Sequence, residues 1–477
     1  MTNLALTAFV LAFFMAGMAR PFLLVLAYAY IDIVAPQKIG WGPLGSLSIS
    51  LVAFVLMALM WLVREDKAGI RLSSRQGIML ILLVYCGMTT LTADFPIEAA
   101  AKWDWVWKAL VFATFLPLTL RTRLRIEALV LTMVLGVCAI TIDGGIKTLT
   151  GGGGYGELKL LVDDNTGLYE GSIISTVAIC IIPLAFWLAR WGTVFVPDWK
   201  VRLFALGVAF SAMLMPVGTA ARTGLICVAV LGVLKLRSTR RRMLYLAMIG
   251  IGAAIALPLL PSSFTDRMST IQNHQADQSA STRVAVWQWT IDFAASHPFG
   301  GGFDAFLQDS VNYDKVITQT RGNSTSVSTE RVIEHGRAYH SSYFEMLGEQ
   351  GYPGLGLWLL LHILGVAQME TIRRRYGRNP RESMAWIAPL ADALQQAQIV
   401  YLVGGSFVGI AFQPFCYMLV GLQCGLSAYV GRLDEAAAAE RRREQNARLI
   451  QRTPDANHAV RHDRPAGPML GHDAPIL

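Results

Sequence analysis

GSIISTVAICIIPLAFWLAR, residues 171–190, runs nineteen residues without a charge before it reaches Arg190. At about 1.5 Å of rise per residue, a helix of that length covers the roughly 30 Å hydrocarbon core of a bilayer. The run is continuous, whereas a membrane β-barrel strand alternates over about ten residues. Similar runs recur along the chain, and we read spans at 4–18, 21–36, 46–63, 76–93, 105–120, 125–142, 171–190, 201–217, 222–236, 242–260, 352–369, 388–411 and 414–431. Of 477 residues, 54% are hydrophobic and 16% charged, against about 25% charged in soluble domains. The expected fold class is therefore all-α, a polytopic integral membrane protein with about 12–13 transmembrane helices and one long periplasmic loop. The lower number applies if residues 1–36 form something other than two spans. The opening MTNLALTAFVLAFFMAGMA is shaped like a signal peptide. No Lys or Arg precedes its apolar run, however, and a second run follows Arg20-Pro21, so we read an uncleaved span.

The formal charge of +8 is spread over short segments: 64–75, 121–125, 235–242, 373–381 and 441–444. That is the pattern of positive cytoplasmic loops, with anionic membrane lipids as partners and no nucleic acid. It places 64–75, 121–125, 191–200, 237–241, 370–387 and the tail from 432 inside. Segments 37–45, 94–104, 143–170, 218–221 and 262–351 fall outside. The last of these carries six Lys or Arg in 90 residues, against five in 373–381. The expected organisation is N-terminal transmembrane helices over 1–261, a large periplasmic loop over 262–351, part helix and part mobile, C-terminal helices over 352–431, and a cytoplasmic tail over 432–477, disordered after about 455.

Several features carry no chemistry. All six cysteines lie in apolar runs with no CxxC, which reads as small buried residues and not as a disulfide framework or metal site. The GGGG at 151–154 lacks a following GK[ST], so a flexible outer loop is the better reading than a phosphate cradle. His458, His462 and His472 read as solvated tail residues. There is no HExxH, GxSxG or DxD, so neither metal nor cofactor is expected.

One stretch does carry chemistry: GRAYHSSYFEMLGEQGYPGLG, residues 336–356. Pro353 suits the first turn of the span that follows. Gly351, Gly354 and Gly356 permit close approach of another backbone or a ligand. His340 falls near the outer membrane–water boundary, where imidazole is suited to take a proton at neutral pH. A helix-capping or hydrogen-bonded interface histidine is the competing reading. Glu345, five residues on, lies about 140° round a helix from His340 and is a poor partner for it. Arg222, in MPVGTAARTGLI, opens a span at its outer end, and Arg283, in ASTRVAVWQWT, begins a helical stretch of the long loop. Either can be structural on its own. Guanidinium groups also bind phosphate bidentately, and a histidine with two arginines on one membrane face suits a pyrophosphate leaving group and a general base.

These residues carry a resemblance. His340-Ser341, nine residues, then Gly351-x-x-Gly354 resembles the H[NSQ]-x9-G-x-x-[GTY] signature of O-antigen ligases. Arg283 with Trp287, followed by HPFGGGFDAF (297–306), resembles the R…W…P-x-G-x-G pattern of the O-antigen ligase and polymerase superfamily. Arg222 matches that family's "SR" element, with Ala221 where serine is usual. The stretches at 20–42 and 148–171 look like the O-glycosylation ligases associated with exosortase systems. The resemblance implies an inverting, metal-independent glycosyltransferase in a bacterial inner membrane, its active site facing the periplasm. The donor would be an undecaprenyl-pyrophosphate-linked glycan and the acceptor a hydroxyl on a lipid-A core or a protein. It further implies that His340 is the general base, that Arg222 and Arg283 bind the pyrophosphate, and that Ser341, Gly351 and Gly354 are structural. A polymerase of the same superfamily is the first alternative. A transporter or flippase is a weaker one, because ionisable mid-span residues and paired broken helices are not evident in the sequence.

Overall fold

The computed structural model describes residues 2–39, 48–67, 70, 72–151, 158, 160, 167–237, 242, 278–321, 324–378 and 382–452. The expected span 242–260 beyond its first residue, most of the glycine-rich segment and the tail after Arg452 lie outside the described residues.

The apolar runs are helices: α1 (Thr2–Ala19), α2 (Phe22–Val34), α3 (Ile49–Arg64), α4 (Ser74–Leu91), α5 (Pro96–Thr119), α6 (Arg123–Leu149), α7 (Gly171–Trp191), α8 (Trp199–Gly218), α9 (Arg222–Arg237), α10 (Gln278–Ser296), α11 (Ser342–Gly377), α12 (Ile387–Gly405) and α13 (Pro414–Arg452). Local chemistry sets several of their starts. Ser73 and Gln76 form a reciprocal capping box at α4, with the Gln76 N–H donating to Ser73 Oγ at 3.3 Å and the Ser73 N–H to Gln76 Oε1 at 2.9 Å. Thr122, Glu170 and Asp198 accept the backbone N–H groups of Arg125, Ile173 and Val201 at the starts of α6, α7 and α8.

Six of the described helices, α4, α6, α7, α8, α11 and α13, are long and apolar enough to cross a membrane, and α1, α2 and α3 are shorter apolar helices. The protein is an all-α polytopic membrane protein. The helix quoted at the outset, α7, is the most enclosed of the six, with Ile174 to Ala185 all buried. A second core joins Met79, Leu82 and Cys86 of α4, Val106 and Leu110 of α5, and Trp358 and Leu361 of α11 to Tyr417 and Val420 of α13. Phe303, from the long loop, is part of the same cluster. All six cysteines are free and buried.

Several boundaries differ from the sequence expectation, among them the ends of α6 at Leu149 and α12 at Gly405, and three have a clear local cause. Helix α5 begins at Pro96, nine residues before the expected 105, because a proline at the first turn and Glu98-Ala-Ala-Ala favour helix. Helix α13 continues to Arg452 through Glu435-Ala-Ala-Ala-Ala-Glu440, and residues from Tyr429 form a unit of their own. Helix α11 starts at Ser342 and is broken at Gly351 (φ 62, ψ −168), so the expected start near 352 is the start of its second leg. The long segment also holds an antiparallel hairpin of β1 (Ser310–Arg321) and β2 (Ser324–His335), registered from Ser310 opposite His335 to Arg321 opposite Ser324. A strand pair was not expected there.

Candidate functional site

The break in α11 explains the HPFGGGF stretch. Its first leg ends in carbonyls with no intrahelical donor, as every helix end does. The loop supplies the missing donors: Gly301 N–H donates to Gly348 O and Gly302 N–H to Glu349 O, both at 3.0 Å. Tyr85 of α4 donates its hydroxyl to Gln350 O and Phe299 O at 3.0 Å each. In the opposite sense, Tyr352 N–H donates to Pro298 O at 3.0 Å. The two backbones touch at Gly351, where a Cβ would strike the Pro298 carbonyl, and at Gly300 (φ 84), where it would strike Glu349 O. Gly354 faces Gln350 and Tyr85, but Gly356 meets nothing within 4 Å. Close approach of another backbone therefore holds for Gly351 alone of the three motif glycines.

Docking this loop sets the segment carrying His340. Helix α10 places Arg283 and Trp287 four residues apart, on one face. The Trp287 indole N–H donates to Tyr339 O at 2.9 Å, and its ring stacks on Phe344 with centroids 4.9 Å apart and planes at 7°. Val286, Val311 and Tyr339 form a small core with Phe306 and Phe344 packed against it. Below this core Asp309 accepts the Arg337 N–H at 3.1 Å. His340 itself has φ 47, in the left-handed region that non-glycine residues rarely adopt. Such a conformation persists where the surroundings over-determine it, and it clusters at functional sites.

His340 opens onto a cavity of about 730 Å³, and Arg283, Arg337, Lys102, Glu345 and Glu349 line the same cavity. The imidazole pKa is pushed below its ordinary 6.5, first by desolvation and then by the positive charges of Arg283 and Arg337. The ring is therefore neutral at neutral pH. Ser341 is buried and starts α11 without a side-chain cap. The neighbouring Ser342 makes the cross-link, donating to Val408 O and accepting the Ile410 N–H at 3.0 Å each. Arg222 is half-buried at the first position of α9. The turn before it is tied to α7 by Ser175 Oγ and Thr219 Oγ1 at 2.8 Å, and Ser172 and Ile173 of α7 line the cavity. Arg222 thus stands at the same end of the bundle as His340 and Arg283, but it is not among the cavity's lining residues.

Residues 205–359 match the family model described as O-antigen ligase. The matched segment holds Arg222, Arg283, His340, Ser341, Gly351 and Gly354. This match supports a glycosyltransferase-like membrane enzyme of the ligase or polymerase type. Residues 1–193 match a family of unknown function. No curated protein matches the chain.

The cavity, lined from inside and outside the matched segment, contains a cluster that the sequence did not signal as a unit. Lys102 Nζ of α5 lies 2.8 Å from both Glu345 Oε1 and Glu349 Oε1, and 3.7 Å from Asp304 Oδ1. Glu345 also accepts the Ala411 N–H at 3.0 Å, so it is committed to Lys102 and this loop, in keeping with its poor spacing from His340. Glu349 accepts the Asp304 N–H at 3.1 Å. Three carboxylates around one ammonium raise the cost of ionising all three. Burial lifts the Asp304 pKa first, and Glu345 lifts it further against the lowering by Lys102. The sequence signals were one lysine in an outer segment and two glutamates spaced i, i+4. Among the described residues no group of three or more His, Cys, Asp or Glu is placed to hold a metal.

Proposed function

We propose that the protein transfers a glycan from an undecaprenyl-pyrophosphate carrier to an acceptor hydroxyl at the periplasmic face of the bacterial inner membrane. The observation that carries the reading is the cavity shared by His340 and Arg283, two residues of the segment that matches the O-antigen ligase family model. In the reaction the acceptor O–H attacks the anomeric carbon from the face opposite the leaving group. Its proton passes to the neutral imidazole of His340, the new C–O bond forms, and the bond to the pyrophosphate oxygen breaks with its electron pair leaving on that oxygen. Attack from that face inverts the anomeric centre. Arg283 binds the diphosphate while charge builds on it, and Arg222, at the same end of the bundle, completes the cationic site. The strained His340 backbone, held through Trp287, presents the imidazole before substrate arrives.

Comparison of surface glycoconjugates by gel and mass spectrometry, with and without the gene, tests the reading. The expected result is one acceptor class that loses its glycan while lipid-linked donor accumulates. An unchanged glycoconjugate profile with no donor accumulation contradicts it. Loss of a polymerase would instead leave single repeat units on the acceptor.

A further inference from the structure

A second cavity of about 680 Å³ adjoins the one at His340, and Lys102, Ile173, Glu345 and Gly409 line both. Its volume is within the usual range for ligand pockets, about 300–1,000 Å³. Asp32, Gln37, Lys38, Trp105 and Tyr169 line its far side, all within residues 1–193, the stretch that matches a family of unknown function. Gln413, ahead of α13, closes it from the other end of the chain.

The lining selects a ligand chemistry. Asp32, Asp304 and Gln413 offer acceptor oxygens, and the buried Oε1 of Gln37 has no hydrogen-bond partner among the described residues. Such an atom calls for a donor. The Trp105 indole is 41% exposed and offers an apolar ring face. Sugar hydroxyls donate as well as accept, and sugar rings present C–H faces that suit an indole. A lipid tail would leave the carboxylates and amides of the lining unsatisfied, and a diphosphate would face three carboxylates (Asp32, Asp304, Glu345) against two ammonium groups (Lys38, Lys102).

We propose that this cavity is a saccharide-binding site, built largely by the N-terminal segment, which holds the acceptor glycan and passes one hydroxyl by Ile173 and Glu345 toward His340. The assignment as acceptor site rests on the function proposed above, whereas the saccharide site itself does not.

Thiol-labelling protection on the purified full-length protein tests it, since the six native cysteines are buried. Lys38→Cys and Gln413→Cys, on opposite walls, report on the second cavity, and Arg337→Cys reports on the first. The probes are lipid-free core oligosaccharide, fragments of the cell's surface polysaccharide, a Ser/Thr-rich peptide and undecaprenyl pyrophosphate. One of the two saccharides, at about ten times its dissociation constant, slows labelling at Lys38→Cys and Gln413→Cys about tenfold, and which one does so identifies the source of the acceptor. Protection of these positions by undecaprenyl pyrophosphate or the peptide, or by no probe, overturns the proposal. Protection of Arg337→Cys by undecaprenyl pyrophosphate is read separately and concerns the donor site alone.

Discussion

Trp287 donates its indole N–H to the carbonyl of Tyr339 at 2.9 Å, one residue before His340. That bond links the helix carrying Arg283 to the backbone that holds His340 at φ 47. Trp287→Phe keeps the ring that stacks on Phe344 and removes the donor. Loss of one such hydrogen bond costs about 1 kcal/mol of stability, so the melting midpoint in detergent shifts little. Transfer falls by about a hundredfold, because misplacement of a catalytic group by 1 Å has that effect. Equal loss of stability and activity, or loss of neither, counts against a positioning role.

Gly351 is both at positive φ and in contact with the Pro298 carbonyl. Gly351→Ala adds strain of about 1–3 kcal/mol and forces the two backbones apart, so the variant loses the 298–302 contact and most activity. Gly356→Ala meets nothing among the described residues within 4 Å and retains both. Thermal melting of the two variants side by side checks this.

Lys102 is the ammonium among Glu345, Glu349 and Asp304. Lys102→Met strands three carboxylates and costs about 3–5 kcal/mol, the usual penalty for breaking a buried pair. Lys102→Met with Glu349→Gln removes charge on both sides and regains part of that loss. Stability measurements on the two variants read the coupling, and strictly additive losses would show that the groups do not interact.

The imidazole of His340 titrates below 6.5 in the free protein, through burial and through Arg283 and Arg337. A base is active when deprotonated, so kcat/KM rises with pH through an apparent pKa below 6.5 and is flat at neutral pH. Bound diphosphate offsets the charge of Arg283 and favours the imidazolium, so the acid limb of kcat lies at higher pH than that of kcat/KM. Arg283→Lys keeps the charge but loses the planar fork, which weakens donor binding with little change in that pH limb. Arg222→Lys is impaired for the same reason. A kcat limb at or below that of kcat/KM is inconsistent with donor phosphate lying near this histidine.

The spans were legible because an apolar run of about twenty residues has few other uses, and α7 runs from Gly171 to Trp191 where 171–190 was expected. The grouping of Arg283 with His340 was legible from their shared membrane face and was sharpened by the motif resemblance. What the sequence hid was long-range. Lys102 meets Glu345 and Glu349 across more than 240 positions, and no spacing rule connects them. The hairpin left a local trace, since 310–335 is rich in Ser, Thr and Val around Arg321-Gly-Asn, a pattern that favours strand and turn. A charge at the end of one span reaches polar side chains in the interiors of others. Arg75 is buried and donates to Gln423 Oε1 at 2.8 Å, which continues through Gln398 to His362. These amides satisfy a charge that would otherwise be costly in lipid.

The central claim is that His340 takes the acceptor's proton while the arginines hold the diphosphate, and a single-turnover assay of His340→Ala at saturating lipid-linked donor tests it most directly. The account predicts that the variant accumulates in the membrane, binds donor as the unaltered protein does, and releases undecaprenyl pyrophosphate about 10²- to 10⁴-fold more slowly. Release at the rate of the unaltered protein would contradict it.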